Sequence, residues 1–336
     1  MTTPTTPTAR ATWTERRLTV SHGSTIGVTV RELDSGVPGP RLLVLGGVHG
    51  DEVGGIVAAG RASVADWPLT SGVLTIVPIA HEAARGADTR ESPIDGGNLA
   101  RSFPGSLGAS ATQELAWIIT HRLISRSDVL IDLHTSSPGT DMPLFVGCLD
   151  DGSPASSRAV ELALATAMPV LWTHPDLGPG RTLTTARDLD IPALYVESPA
   201  GGVLDESHLA AYADVVRSVL ESLGMLEGAS RRTDPPVWLH GNGDVDTFTA
   251  TTTPGLFIRE SSLMSLVRRG DRVGAVIDEF GRELETILAP KSGYITTLRR
   301  SAVVEPGLPV VGVTGLRPPS LGVPSDAFVL PRKSQP

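Results

Sequence analysis

The sequence predicts an α/β fold, a mixed and largely parallel sheet flanked by helices, followed by a small all-β barrel or sandwich. Three observations predict it. Between about residue 40 and residue 225, short apolar runs alternate with amphipathic stretches. From about 235 to 316 no helical periodicity survives, and short β-prone runs recur between Gly, Pro and Asp. The length of 336 residues suits one large domain with a small one beside it.

Residues 1–12, which begin MTTPTTPTAR, read as a disordered Thr/Pro tail without the charged-then-apolar order of a signal peptide. An α/β domain is expected over 13–230. Leu42-Leu43-Val44-Leu45 reads as a buried strand that ends in Gly46-Gly47, and 51–64 as a helix with Ile56, Val57, Ala58 and Ala59 on its apolar face. Val73 to Ile79 is a second β-rich run. Leu115, Ile118, Ile119 and Leu123 recur at helical spacing within 111–126. Val129-Leu130-Ile131 is a buried strand leading straight into Asp132-Leu133-His134. Residues 155–167 and 205–223 read as helices, and Ala193 to Val196 as a further strand. Ser230 to Pro236, with two Arg and two Pro, reads as a linker. The β-rich domain is expected over 235–320, with runs beginning at Gly255, Arg272, Gly293 and Val310, and a C-terminal tail over 321–336.

Composition excludes several partners. A net charge of −9 leaves no basic face for a phosphate backbone, so nucleic acid is not expected. No run of 18 apolar residues exists, so no membrane span is expected. The single cysteine, Cys148, permits no intrachain disulfide, fits a reducing cytoplasm and sits in an apolar stretch where packing is its expected role.

His49-Gly50-Asp51-Glu52 stands where the first strand hands over to the first long helix, so both outer residues can point at one ion. His134 ends a second buried strand and brings a third donor to the same rim. Two histidines and a carboxylate make a three-ligand zinc set that leaves a coordination position open. By spacing alone, His49-x-x-Glu52 carries almost no weight, and an isolated strand-end histidine more often bonds backbone. Coincidence at two strand ends shifts that balance. Glu197 follows the run Ala193 to Val196 and is placed by it at the same rim, where an exposed strand-end carboxylate is the even alternative.

GGVHGDE (46–52), DGGNLARSFPG (95–105), IDLHT (131–135) and the glutamate of YVESPAGG (195–202) occur in an order that resembles the succinylglutamate desuccinylase/aspartoacylase family, relatives of the zinc carboxypeptidases. The likeness covers roughly 40–316. The stretch 90–98 is similar in particular to the branch of N-acetyl-diaminobutyrate deacetylases acting in ectoine breakdown. The resemblance implies one zinc per chain held by His49, Glu52 and His134, with Glu197 as the carboxylate that takes a proton from water and returns it to the leaving amine. It also implies that Arg101 binds a substrate carboxylate and that Arg90 stabilises the developing oxyanion. Asn98 is a further expected substrate contact. The expected substrate is a small acyl-amide, and assembly into a homo-oligomer is left open.

One departure concerns recognition. Where the family pattern has an asparagine beside the arginine, this chain has Ala100, whose methyl group donates no hydrogen bond. Reaction type is therefore better specified than substrate. A carboxypeptidase-like peptidase and a metal-binding relative without turnover are the alternative readings. The tail resembles the barrel of biotinyl and lipoyl carriers, yet 279–285 contains no lysine and Lys291 lies inside the turn, so a lid or oligomer contact is expected there. His22, His81, His121, His174, His208 and His240 are expected at the surface or in packing.

Overall fold

The computed structural model describes residues 11–20, 25–199, 201–228, 234–241 and 248–316. The stretch 1–10, His22, most of the expected linker and 317–336 lie outside them. The chain opens with β1 (Trp13–Thr19), β2 (Gly27–Asp34), β3 (Arg41–Gly46), α1 (Val53–Ala62), β4 (Val73–Val77) and α2 (Glu82–Ala87). Next come α3 (Ala111–Arg122), β5 (Val129–Leu133), β6 (Thr140–Asp141), β7 (Phe145–Leu149), α4 (Pro154–Ala165) and β8 (Val170–His174). The α/β part closes with α5 (Thr182–Asp188), β9 (Ala193–Glu197), α6 (Glu206–Ser222) and β10 (Val237–His240).

These strands form one nine-stranded mixed sheet in the order β1-β2-β4-β3-β5-β9-β7-β8-β10. The central β4, β3, β5 and β9 run parallel, whereas β7 turns antiparallel against β9 and then carries β8 and β10 parallel to itself. The central strands read as unbroken apolar runs because both sheet faces are covered. Leu42 and Val44 of β3 enter the core that α1, α4 and α6 build with Ala59, Leu162 and Val219. Leu43 and Leu45 enter the opposite one, which α3 and α5 build with Ile118 and Leu183. Cys148 is buried in the first core, as packing requires.

After β10 the chain supplies β11 (Thr249–Ala250), β12 (Gly255–Arg259), β13 (Leu266–Val267), β14 (Arg272–Ile277), β15 (Glu283–Leu288), β16 (Gly293–Arg299), β17 (Val303–Val304) and β18 (Pro309–Thr314). They form two antiparallel sheets around a core of Phe257, Val273, Ile287, Ile295 and Val311. The fold class matches the expectation, with two differences. β10 falls in the segment assigned to the β-rich tail, yet it pairs in parallel with β8 in the main sheet. Conversely, β6 of the α/β part pairs with β16 of the tail. The β1–β2 hairpin left no sequence signal because most of β1 is exposed, so its residues show no apolar alternation.

Candidate active site

His49, Glu52 and His134 converge, with one ligand atom from each lying within 4.8 Å of the others. Topology explains the meeting. β3 and β5 are parallel neighbours, so the residues that follow their C-terminal ends share one rim of the sheet. Glu52 sits at the N-cap of α1, and Gly55 lets that helix approach, because a Cβ there would stand 2.2 Å from the Leu133 carbonyl oxygen. The Tyr212 hydroxyl donates to the His134 carbonyl and ties α6 to the same strand end.

The three candidate donors also face one another. His49 Nδ1 lies 2.7 Å from Glu52 Oε1 but, among the described residues, makes no hydrogen bond, and the atom is buried. His134 Nδ1 lies 2.8 Å from Glu52 Oε2. The far nitrogen of each ring is held from behind, His49 Nε2 at 3.3 Å from Asn98 Oδ1 and His134 Nε2 at 3.1 Å from Asp132 Oδ2. Such outer partners fix the orientation of each ring and leave its Nδ1 side facing Glu52. Thr182 donates to Asp132 at 2.6 Å and fixes it in turn. Burial by itself would raise the Glu52 carboxyl, yet the facing His49 and His134 hold it well below the usual carboxylate range. Burial lowers His49. An anionic carboxylate between two imidazoles is the donor set zinc takes, so these residues fit the ion.

Glu197 ends β9, the parallel neighbour of β5, and reaches the same rim. Burial, reinforced by the charge of Glu52, pushes its carboxyl up to about 8. Its Oε2 is buried without a hydrogen-bond partner among the described residues. A carboxyl so raised is suited to exchange protons near neutrality. A cleft of about 100 Å³ is lined by the three candidate ligands, Glu197 and Asp132, by Arg90, Arg101 and Arg181, and by apolar Ala100, Leu177, Leu183 and Tyr195.

Arg90 Nη1 lies 2.7 Å from Glu52 Oε1 and 3.4 Å from Ser137 Oγ, so the arginine holds a candidate ligand while lining the cleft. Arg101 lines the cleft from the turn that follows Asn98. Asn98, expected as a substrate contact, is not among the residues that line the cleft. Its side-chain oxygen accepts from the Ala100 amide and meets His49 Nε2, which places it behind that candidate ligand. Two residues escaped sequence reading. Asp132 was visible only as the i−2 neighbour of His134, on the same strand face. Arg181 sits at the N-cap of α5, in a stretch with no motif, and only folding carries it to the cleft.

Among the other histidines, His174 is fully buried and His81 nearly so, while His121 stacks on Trp117 at 4.6 Å. No described helix is long and apolar enough to cross a membrane.

Residues 38–223 match the model of the succinylglutamate desuccinylase/aspartoacylase catalytic domain. The N-alpha-acetyl-L-2,4-diaminobutyric acid deacetylase of Halomonas elongata is 30% identical over 246 residues, 71% of each chain. Among solved structures, a succinylglutamate desuccinylase from a Silicibacter species superposes with a TM-score of 0.81 at 24% identity, over 94% of this chain and 98% of that one. A product-bound ectoine utilization protein from Ruegeria pomeroyi gives 0.81 at 24% identity, over 93% and 98%.

Proposed function

Because the chain belongs to the succinylglutamate desuccinylase/aspartoacylase family, we propose that it is a zinc-dependent hydrolase cleaving the amide of a small N-acyl amino acid or related acyl-amine. The convergence of His49, Glu52 and His134 beside Glu197 carries this reading. Zinc bound there supplies a Lewis acid and a water that ionises near neutrality.

The chain's own residues do the rest. Glu197 accepts the proton of the attacking water at its carboxylate and returns it to the amide nitrogen, without which an amine leaves poorly. The Arg90 guanidinium has five N–H donors, more than Glu52 and Ser137 engage, and offers the remainder to the carbonyl oxygen as charge develops. Arg101 and Arg181 bind the carboxylate of the amino-acid portion, and Arg181 compensates for the donor absent at Ala100. Asn98 and Asp132 keep the two imidazoles aimed. The substrate in the name of the Halomonas relative makes N-acetyl-2,4-diaminobutyrate the first compound to try.

The deciding experiment measures metal content and hydrolysis of a panel of N-acyl amino acids for the wild type, His134→Ala and Glu197→Gln. About one zinc per chain with turnover is expected for the wild type, loss of both for His134→Ala, and loss of turnover alone for Glu197→Gln. A wild type that binds no zinc under metal-replete conditions overturns the metal assignment. Zinc without turnover across acyl amino acids and short peptides overturns the hydrolase reading.

A further inference from the structure

Tyr195 lies on the cleft wall, two residues before Glu197 on the same face of β9 and opposite Asp132 in the pairing with β5. The protein goes to some length to place its ring. On the other side, Tyr195 is paired with Gly147 of β7, and a Cβ at 147 would stand 2.1 Å from the Tyr195 Cε1 atom. Any side chain there would drive the ring out of its seat, and glycine supplies the space. Phe145 meets the ring edge to face, with centroids 5.3 Å apart and planes at 88°.

The hydroxyl is held just as closely. His174, fully buried at the end of β8, lies with Nε2 2.7 Å from the Tyr195 hydroxyl and Nδ1 3.2 Å from the Gly241 carbonyl oxygen. A carbonyl only accepts, so Nδ1 carries the hydrogen and Nε2 accepts from the phenol. The phenol hydrogen is thus committed to His174 and not to a bound molecule. A rotation of the ring would cost the hydrogen bond, the edge-to-face contact and the fit over Gly147 together.

The cleft has two chemically distinct kinds of lining. Arg101 and Arg181 offer cations to an anionic group, whereas Leu177, Leu183 and Tyr195 offer apolar surface. With the carboxylate of an acyl amino acid on the arginines, the apolar residues, and Tyr195 two positions before Glu197 among them, are left to meet the hydrocarbon of its acyl group. We propose that Tyr195 is the specificity-determining wall of this cleft: its ring, braced by Gly147, Phe145 and His174, limits the length of the acyl chain accepted. The inference rests on the deacylase reading for which bond is broken, but the wall itself is a matter of shape.

The test compares acetyl, butyryl and hexanoyl derivatives of one amino acid, as ratios of kcat/KM, in the wild type, Tyr195→Val, Tyr195→Phe and Gly147→Ala. Tyr195→Val opens the space over Gly147 and should raise the butyryl-to-acetyl ratio by roughly tenfold, since two buried methylenes gain a place. Tyr195→Phe keeps the ring and should leave the ratio unchanged while lowering the melting temperature. Gly147→Ala pushes the ring into the cleft and should lower the ratio. A folded Tyr195→Val with the wild-type ratio overturns the wall, and so does a folded Gly147→Ala with an unchanged ratio should the valine variant not fold. Binding of acetate, butyrate and hexanoate, followed by thermal shift, needs no turnover. If the wild type cleaves no amide, the deacylase reading falls, and the wall then stands or falls on whether Tyr195→Val gains affinity for the longer carboxylates.

Discussion

At the scale of single residues, the site separates groups that touch a ligand from groups that aim them. Asp132 stands behind His134 as Asn98 stands behind His49. Outer partners of this kind are worth about 10–100-fold in metal affinity. Asp132→Ala and Asn98→Ala should each weaken zinc binding by that order in chelator competition, with KM of the zinc-loaded enzyme little changed. A rise in KM for Asn98→Ala at full zinc loading would instead restore the expected substrate contact. Glu197→Gln should lower kcat by about 10²–10⁴-fold, the usual worth of a positioned acid–base. The proposed roles of His49, Glu52, His134 and Glu197 came from the family resemblance, but their sharing one rim was legible in the sequence, because each ends or follows a recognisable apolar run. The roles of Asp132, Asn98 and Arg181 were not, because a hydrogen bond across 49 or 50 residues leaves no local pattern.

At the scale of elements, close approach is what makes the residues meet. Gly55→Ala would set a methyl against the Leu133 carbonyl oxygen and push α1 away from β5, carrying Glu52 with it. An overpacking cost of about 1–3 kcal/mol is expected, together with reduced zinc content, read by denaturant melts and metal analysis. The contact of β8 with β9 through His174 and Tyr195 adds a pH dependence. Burial lowers the His174 imidazole to about 4. Below about 6.5 the unfolded chain takes up a proton that the folded one refuses, so this contribution is full above that pH and fades as the pH falls towards 4. The loss amounts to roughly 3 kcal/mol at most. His174→Asn removes the titration and should flatten the stability profile between those pH values. An unchanged profile would show that the ring titrates alike in the folded and unfolded chain.

For the whole molecule, the α/β part and the β-rich tail are joined by more than the chain connection. Asp141 on β6 accepts from Arg259 at 2.9 Å and from Arg300 at 2.7 Å, while β6 itself pairs with β16. Asp141 is largely buried and both arginines are about one-third exposed, so screening leaves the cluster worth about 1–2 kcal/mol. Asp141→Ala should lower the melting temperature by roughly 2–4 °C, and calorimetry would show whether the tail then melts ahead of the main sheet. The sequence by itself determined the α/β class, the β-rich tail, the central strands and the residues at their ends. Those follow from short-range rules: an apolar run buried on both faces is written in consecutive residues, and what comes next must emerge at the sheet rim. Only the tertiary structure decided that β10 belongs to the main sheet, that β6 belongs to the tail, and that Arg181 and Tyr195 share a cleft with the candidate ligands. These depend on which strands become neighbours, a choice made by packing between distant segments.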